Sequence, residues 1–165
     1  MVVGDQGSVV ATVDAGCQPV RVDTAANGTQ VWVTARASDD VLCFAAALLV
    51  TDPSHALVAV VRVGEAPVGL TVVRDGTLIV VADSNRFSAP GAHADLTLIN
   101  VADALDGRPA TVGDIPAGLF PQGHDGCSQR HGTRLGLQLR PVGDGRHCDH
   151  PLITAIPSTS SPAGR

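Results

Sequence analysis

The sequence lacks lysine and tyrosine entirely, and aromatic residues make up only 2% of it. The few that are present are Trp32, Phe44, Phe87 and Phe120. All 11 basic residues are therefore arginines, set against 16 acidic residues, and the formal net charge is −5. This balance argues against nucleic acid as a partner, because nucleic-acid-binding domains present a strongly basic surface.

Long apolar runs are also missing. A helix that crosses a bilayer needs about 20 mostly apolar residues, and the runs here are shorter and interrupted by charge. We therefore expect no membrane span. The first residues, MVVGD, contain no basic group, so no signal peptide is expected.

Familiar catalytic motifs are absent as well. The chain has no Gly-x-Ser-x-Gly, no phosphate-binding glycine loop and no His-Glu-x-x-His. No cofactor and no catalytic residue are predicted, and we do not expect an enzyme.

What the chain does contain is a repeat. Residues 16–36 read GCQPVRVDTAANGTQVWVTAR, and residues 64–85 read GEAPVGLTVVRDGTLIVVADSN. Each stretch has Gly-x-x-Pro, an apolar run, an Asn-Gly or Asp-Gly pair that favours a tight turn, and a second apolar run. A third Gly-x-x-Pro begins at Gly118, and the prolines are 48 and 54 positions apart. Such periods are typical of propellers and solenoids.

Each unit is expected to form four strands. The predicted strands are Val20–Ala25, Gln30–Ala35, Asp40–Ala46 and Leu57–Val63, then Val68–Val73, Leu78–Asp83, Leu96–Ala102 and Ala110–Ile115. Ser8–Val13 is interpreted as the closing strand of an earlier unit. Four-stranded antiparallel units of this length are typical of β-propeller blades. Gly-x-x-Pro would connect the outer strand of one blade to the inner strand of the next, where a proline removes no ladder donor.

The fold class predicted is therefore all-β: a propeller fragment of about two four-stranded antiparallel blades plus a preceding strand, with an irregular C-terminal tail. The boundaries predicted are 1–15 for the closing strand, 16–63 and 64–117 for the blades, and 118–165 for the start of a third blade. Aligning Leu42 with Leu96 assigns all six extra residues of the longer period to the loop between the second and third strands.

Gly-x-x-Pro, a strand, Asn/Asp-Gly and then VWVTAR or LIVVADSN resemble the YVTN-type β-propeller repeat, over about residues 8–121. That family includes surface-layer and YncE-like proteins and is related to propeller lactonases. The resemblance implies a non-enzymatic binding or scaffold module, with a lactonase-like hydrolase fragment as the alternative. The resemblance also implies a family whose proteins are often located outside the cytoplasm. Trp32 and Ile79 stand where the family often has tyrosine.

Propellers close with roughly 4–8 blades, whereas only two complete units are present here. Open blades leave sheet edges unpaired, so self-association through those edges is expected. The ligand, whether a protein or a small molecule, is not predicted.

The lengthened loop supplies the candidate ligand-binding residues Asp83, Asn85, Arg86 and His93. In a four-stranded meander, this loop and the blade-to-blade connections emerge at the same end, where propellers commonly bind ligands. The alternative is a surface loop that is longer without having a function.

The tail from Gln122 breaks the pattern and holds four of the six histidines. Three explanations stay open: a basic tail, a metal site, or translation in a shifted frame. Cys127, His131, Cys148 and His150 are a weak candidate zinc set, because their spacing matches no strong zinc signature. A forward shift of one base at Gln122 permits an Asn-Gly pair at positions 129 and 130, which is the register of the earlier units. We therefore interpret residues 118–165 as the start of a third blade that is lost to an irregular tail, and of the three explanations the frameshift is the preferred one.

Cys17 and Cys43 lie in neighbouring strand regions of the first unit. A disulfide between them is one interpretation. The preferred one is two small buried hydrophobic side chains.

Overall fold

The computed structural model describes residues 1–4, 7–86 and 93–118, together with a strand at 136–137. These residues form three antiparallel sheets. The first sheet contains β1 (Val2–Val3), β2 (Val9–Ala11) and β11 (Gly136–Leu137), in the order β11-β1-β2. The closing strand predicted at Ser8–Val13 is thus the three-residue β2, and β1 is too short for its alternation to have been recognised.

The other two sheets are four-stranded meanders, which we call blade 1 and blade 2. Blade 1 contains β3 (Pro19–Thr24), β4 (Gln30–Ala35), β5 (Asp40–Ala45) and β6 (Leu57–Arg62). Blade 2 contains β7 (Pro67–Val73), β8 (Leu78–Asp83), β9 (Asp95–Asn100) and β10 (Thr111–Pro116). The predicted all-β, propeller-like fold with two four-stranded antiparallel blades is confirmed.

Two short helices, α1 (Leu48–Thr51) and α2 (Val101–Leu105), each join the third strand of a blade to the fourth. The strand predicted at Leu96–Ala102 therefore ends two residues early. Its end is set by Asn100, whose side chain accepts a hydrogen bond from the backbone N–H of Asp103 and caps α2. A side-chain cap of this kind satisfies a backbone donor that the helix leaves unpaired.

Blade 1 lies between the first sheet and blade 2. We call the face of a blade that looks toward the preceding sheet its front face, and the opposite one its back face. The front face of blade 1 packs on the first sheet through a cluster that includes Val2, Val31, Val33 and Phe44. The back face of blade 1 packs on the front face of blade 2 through Trp32, Val41, Cys43, Leu70, Ile79, Val81 and Ile99. Successive side chains along a strand point to opposite faces of the sheet. One blade can therefore pack against a neighbouring sheet on each of its two faces.

The Gly-x-x-Pro turn has the same backbone hydrogen bonds in both blades. The carbonyl of Gln18 accepts from the N–H of Arg36 at 3.0 Å, and the carbonyl of Ala66 accepts from the N–H of Ser84 at 3.1 Å. Gln18 and Ala66 both have positive φ angles, 53° and 55°. The turn is therefore held against the end of the second strand of the blade that it opens.

The glycine of this turn packs against the last residue of that strand. A Cβ atom on Gly16 would lie 2.8 Å from the Cβ of Ala35, and one on Gly64 would lie 2.8 Å from the Cγ of Asp83. Ala35 and Asp83 end β4 and β8. The motif requires glycine because no side chain fits at this contact.

The alignment of Leu42 with Leu96 is wrong by one residue. The second-to-third-strand loop has 4 residues in blade 1 (36–39) and 11 in blade 2 (84–94), whereas the third-to-fourth connection has 11 (46–56) and 10 (101–110). The insertion is thus seven residues, and a one-residue deletion later in the blade reduces the net difference to six. Leu42, which pairs with Val33, corresponds to Thr97, which pairs with Val81.

Cys43 is a free thiol with no exposed surface, and burial raises its pKa to about 12. The expectation of a small buried hydrophobic side chain is confirmed for Cys43, which forms no disulfide with Cys17. For Cys17 the same expectation is wrong, because this residue is half-buried and is disulfide-bonded to a cysteine other than Cys43.

Within the part of the chain that the structure describes, no helix has the length and apolarity needed to cross a membrane.

The predictions for the C-terminal tail, including the zinc set Cys127, His131, Cys148 and His150, fall outside the described residues. The exception is β11, where Val2 pairs with Leu137 and Val3 with Gly136.

Candidate functional site

The candidate site lies at the end of blade 2 where β8 stops and the 11-residue loop begins. The loop starts beside the connection between the blades: the N–H of Asn85 donates to the carbonyl of Glu65 at 3.1 Å, and the N–H of Ser84 donates to the carbonyl of Ala66. Farther along, Asp39 in the short loop of blade 1 accepts from the N–H of Ala66 at 2.9 Å. The loops and the interblade connection therefore share one end of the fold.

Asp83 is the most unusual residue of the site, because its carboxyl group is fully buried. The hydroxyl of Thr97 donates to Oδ2 at 2.6 Å, while Oδ1 has no hydrogen-bond partner. Burial raises the pKa of Asp83 to about 7; the nearby Asp95 carboxylate also raises it, and hydrogen bonds from Thr97 and Gly64 oppose the change. Asp83 is thus a proton-binding group near neutral pH that has no contact with solvent.

The side chain of Asn85 connects the start of the loop to its end by hydrogen bonds. Its side-chain amide donates to the carbonyl of His93 at 2.8 Å and to Oδ1 of Asp95 at 3.3 Å. Its φ angle is 45°, a left-handed conformation that asparagine tolerates better than most residues. The base of the loop is consequently a defined structure, fixed to β9 on one side and to the interblade connection on the other.

The four residues predicted from the sequence therefore have two different positions. Asp83 and Asn85 lie inward and hold the base of the loop, whereas Arg86 and His93 are exposed beside it. Residues 87–92, which join them, lie outside the described residues. Whether these residues bind a ligand stays a prediction.

Asp83 is surrounded by three residues that the sequence does not predict as part of the site, Asp95, Thr97 and Gly64. Asp95 is the direct cross-strand partner of Asp83, and Thr97 follows on the same face of β9. A correct alignment of the third strands would have placed both beside Asp83. The one-residue error hid this, because a shift of one position moves every side chain to the opposite face of a sheet.

The described residues contain no group of three or more His, Cys, Asp or Glu side chains arranged to hold a metal ion. Among the described residues, Asp83 and Asp95 are a pair of carboxyl groups without a third ligand of these types.

One solved structure that the chain resembles is hydrazine synthase of Kuenenia stuttgartiensis, a protein that contains β-propellers. The TM-score is 0.52 at 17% sequence identity, and the match covers 72% of this chain. No family model matches the sequence, and no curated protein matches it either. At this identity the likeness shows a propeller-like β fold alone. The chain spans only 28% of the length of that protein.

Replacing Asn85 with alanine should cost about 1–2 kcal/mol of unfolding free energy, because both side-chain hydrogen bonds are lost and a positive φ is left on a residue that resists it. Asn85→Gly keeps the backbone relaxed and loses only the hydrogen bonds, so it should cost less. Urea unfolding of the two variants measures the difference. If both variants lose a negligible and equal amount of unfolding free energy, the loop does not depend on the Asn85 side-chain hydrogen bonds.

Proposed function

We propose that this chain is a non-enzymatic binding and scaffold module, a segment of a larger propeller-like protein. The observation that carries the proposal is the loop at 84–94, which is lengthened in one blade only and clamped at its base by Asn85. A long loop whose ends are fixed on a rigid sheet presents its side chains in a defined place. Arg86 and His93 are the exposed residues at that place.

The burial of Asp83 favours binding over hydrolysis. A carboxyl group with a pKa near 7 would suit general acid–base catalysis, but this one has no exposed surface, and Thr97, whose hydroxyl donates to it, is buried as well. A lactonase-like site would need several carboxylates and imidazoles that converge on a funnel. In the two described blades, Asp83 and Asp95 form the carboxyl pair at the start of the long loop, and no group of three or more His, Cys, Asp or Glu side chains is arranged there to hold a metal ion.

The scaffold part of the proposal concerns the blade edges. β6 and β10 are the outer strands of their sheets, and both carry exposed large apolar side chains, Leu57, Val58, Val60, Val112 and Ile115. Outer strands have unpaired backbone donors and acceptors that can join another sheet. We propose that copies or neighbouring segments associate through these open blades.

The binding role is tested by recording two-dimensional NMR spectra of the full chain during titration with a small-molecule fragment library. We expect shifts to concentrate at residues 64–66, 84–86 and 93–95, and to disappear in a double variant Arg86→Ala, His93→Ala. His55→Ala is the matched control. His55 is also an exposed histidine, but it lies outside the 84–94 loop and contacts Asp52 instead. Shifts confined to other surfaces would contradict the proposal.

The hydrolase alternative is tested on the same preparations with a panel of lactones. The expected result is no turnover above the uncatalysed background. Turnover that His93→Ala abolishes and His55→Ala preserves would overturn the binding role in favour of a hydrolase.

A further inference from the structure

We propose that Asp39 of blade 1 is a positioning residue for the 84–94 loop of blade 2, on which it acts through the connection between the blades. The inference rests on the proposed binding function of that loop. It adds a residue of the neighbouring blade to a site whose predicted residues all belong to blade 2.

The connection between the blades, residues 63–66, ends at Ala66, which is hydrogen-bonded on both sides. Its N–H donates to Oδ1 of Asp39 at 2.9 Å. Its carbonyl accepts from the N–H of Ser84 at 3.1 Å and from the hydroxyl of Ser84 at 2.9 Å. Asp39 belongs to the short loop of blade 1, and Ser84 is the first residue of the long loop of blade 2. Ala66 therefore links the two loops.

Burial and backbone conformation make Ala66 dependent on these bonds. Ala66 is 1% exposed and Ser84 is 3% exposed, so water does not readily replace a lost partner. The φ angle of Ala66 is 55°, a conformation that is costly for alanine and persists only where surrounding contacts fix it. The carboxylate of Asp39 is one of those contacts.

The repeat shows that this contact is specific to the connection beside the long loop. The carbonyl of Asp39 accepts from the N–H of Val63 at 3.0 Å, and the carbonyl of Ala94 accepts from the N–H of Ala117 at 2.9 Å. Asp39 and Ala94 are therefore equivalent positions, each one residue before the third strand of its blade. Ala94 has no carboxylate, so blade 2 does not repeat the contact.

The cation beside Asp39 is specific to blade 1 as well. Nη2 of Arg62 lies 3.0 Å from Oδ2 of Asp39. Arg62 pairs with Asp40 across the sheet, whereas Pro116 pairs with Asp95 at the equivalent position of blade 2. The Arg62 side chain is 68% exposed, and exposed ion pairs contribute little to stability. Arg62 therefore orients the carboxylate, while the bond to the Ala66 N–H holds the connection.

The test compares Asp39→Gly with Asp39→Asn by NMR-detected amide hydrogen exchange of the full chain. The φ angle of Asp39 is 53°, which glycine and asparagine both tolerate. Glycine removes the acceptor for Ala66, whereas the asparagine oxygen retains one. In Asp39→Gly the N–H groups of Ser84 and Asn85 should exchange roughly tenfold faster or more, because their unmutated acceptors lie on the loosened connection. Asp39→Asn should stay within about threefold of wild type.

Two readouts separate positioning from a general loss of stability. A general loss would accelerate exchange at Val81, within β8, by the same factor as at Ser84. Positioning accelerates Ser84 selectively. The NMR shifts of Arg86 and His93 should also move in Asp39→Gly and be restored in Asp39→Asn. Exchange at Ser84 should be unchanged in the control Asp52→Ala, which removes a carboxylate from the connection between β5 and β6.

Ser84→Ala approaches Ala66 from the other side, and it decides the question if Asp39→Gly does not fold by circular dichroism. This variant removes the hydroxyl donor to the Ala66 carbonyl. The N–H of Ala66 should then exchange faster, although its own acceptor, Asp39, is unchanged. Unaltered exchange at Ala66 would contradict the link.

The exchange measurements need no ligand, so they decide the positioning role even if the fragment screen finds none and the proposed binding function fails. For a fragment that binds wild type, Asp39→Gly should raise the dissociation constant roughly fivefold or more, and Asp39→Asn should restore it.

Three results would overturn the inference. Unchanged exchange at Ser84 and Asn85 in Asp39→Gly removes the link between the loops. Equal acceleration in Asp39→Gly and Asp39→Asn shows that the side-chain oxygen does not hold the connection. Equal acceleration at Val81 and Ser84 reduces Asp39 to a residue that only stabilises the fold.

Discussion

Replacing Gly64 with alanine should lower the free energy of unfolding by about 2–3 kcal/mol, the upper part of the range for overpacking a filled site. The added Cβ would lie 2.8 Å from the Cγ of Asp83 and 2.9 Å from its Cβ. Asp83 cannot move aside freely, because it is fully buried and bonded to Thr97. Urea unfolding monitored by circular dichroism measures the loss.

Gly118→Ala is the matched control, because Gly118 opens the third Gly-x-x-Pro and a Cβ there meets no described atom within 4 Å. It should change stability by less than about 0.5 kcal/mol. Gly16→Ala should cost at least as much as Gly64→Ala, since its Cβ would lie 2.8 Å from Ala35 and its φ angle is 74°. Equal effects at Gly64 and Gly118 would refute the packing role of the motif glycine.

Asp83 should make the protein less stable as the pH rises from about 4 to about 7. Its folded pKa is about 7, against about 3.9 in the unfolded chain. Below about pH 4 the carboxyl group is protonated in both the folded and the unfolded state, so it does not change the free energy of unfolding. Between the two values the folded state holds a proton that the unfolded state releases, so stability falls with increasing pH, by about 4 kcal/mol in total.

Asp83→Asn tests this linkage, because its amide resembles the neutral carboxyl group and its oxygen can still accept from Thr97. The variant should lose this slope and be more stable than wild type at pH 8, by unfolding measurements at several pH values. Asp114→Asn, at an exposed position in β10, should keep the wild-type slope. Asp40, whose pKa burial also raises, contributes equally to all three proteins. Parallel curves for wild type and Asp83→Asn would contradict a buried, titrating Asp83.

The sequence by itself determined where most strands lie. Gln30–Ala35 and Leu78–Asp83 were predicted to the residue. Their apolar runs follow Asn-Gly and Asp-Gly turns, and turn chemistry acts over a few neighbouring residues. The Gly-x-x-Pro repeat likewise predicted two successive antiparallel blades, because each blade is built largely from contacts within one repeat.

Only the tertiary structure decided what those strands bury. Nothing local distinguishes Asp83 from a surface aspartate, because its burial results from Gly64 in the preceding connection and Thr97 on the next strand. The capping of α2 by Asn100 and the seven-residue insertion also depended on pairings between strands that sequence spacing shows only as a net length. Burial and pKa are set by the distant groups that packing places around a side chain, and a single sequence does not state which groups those are.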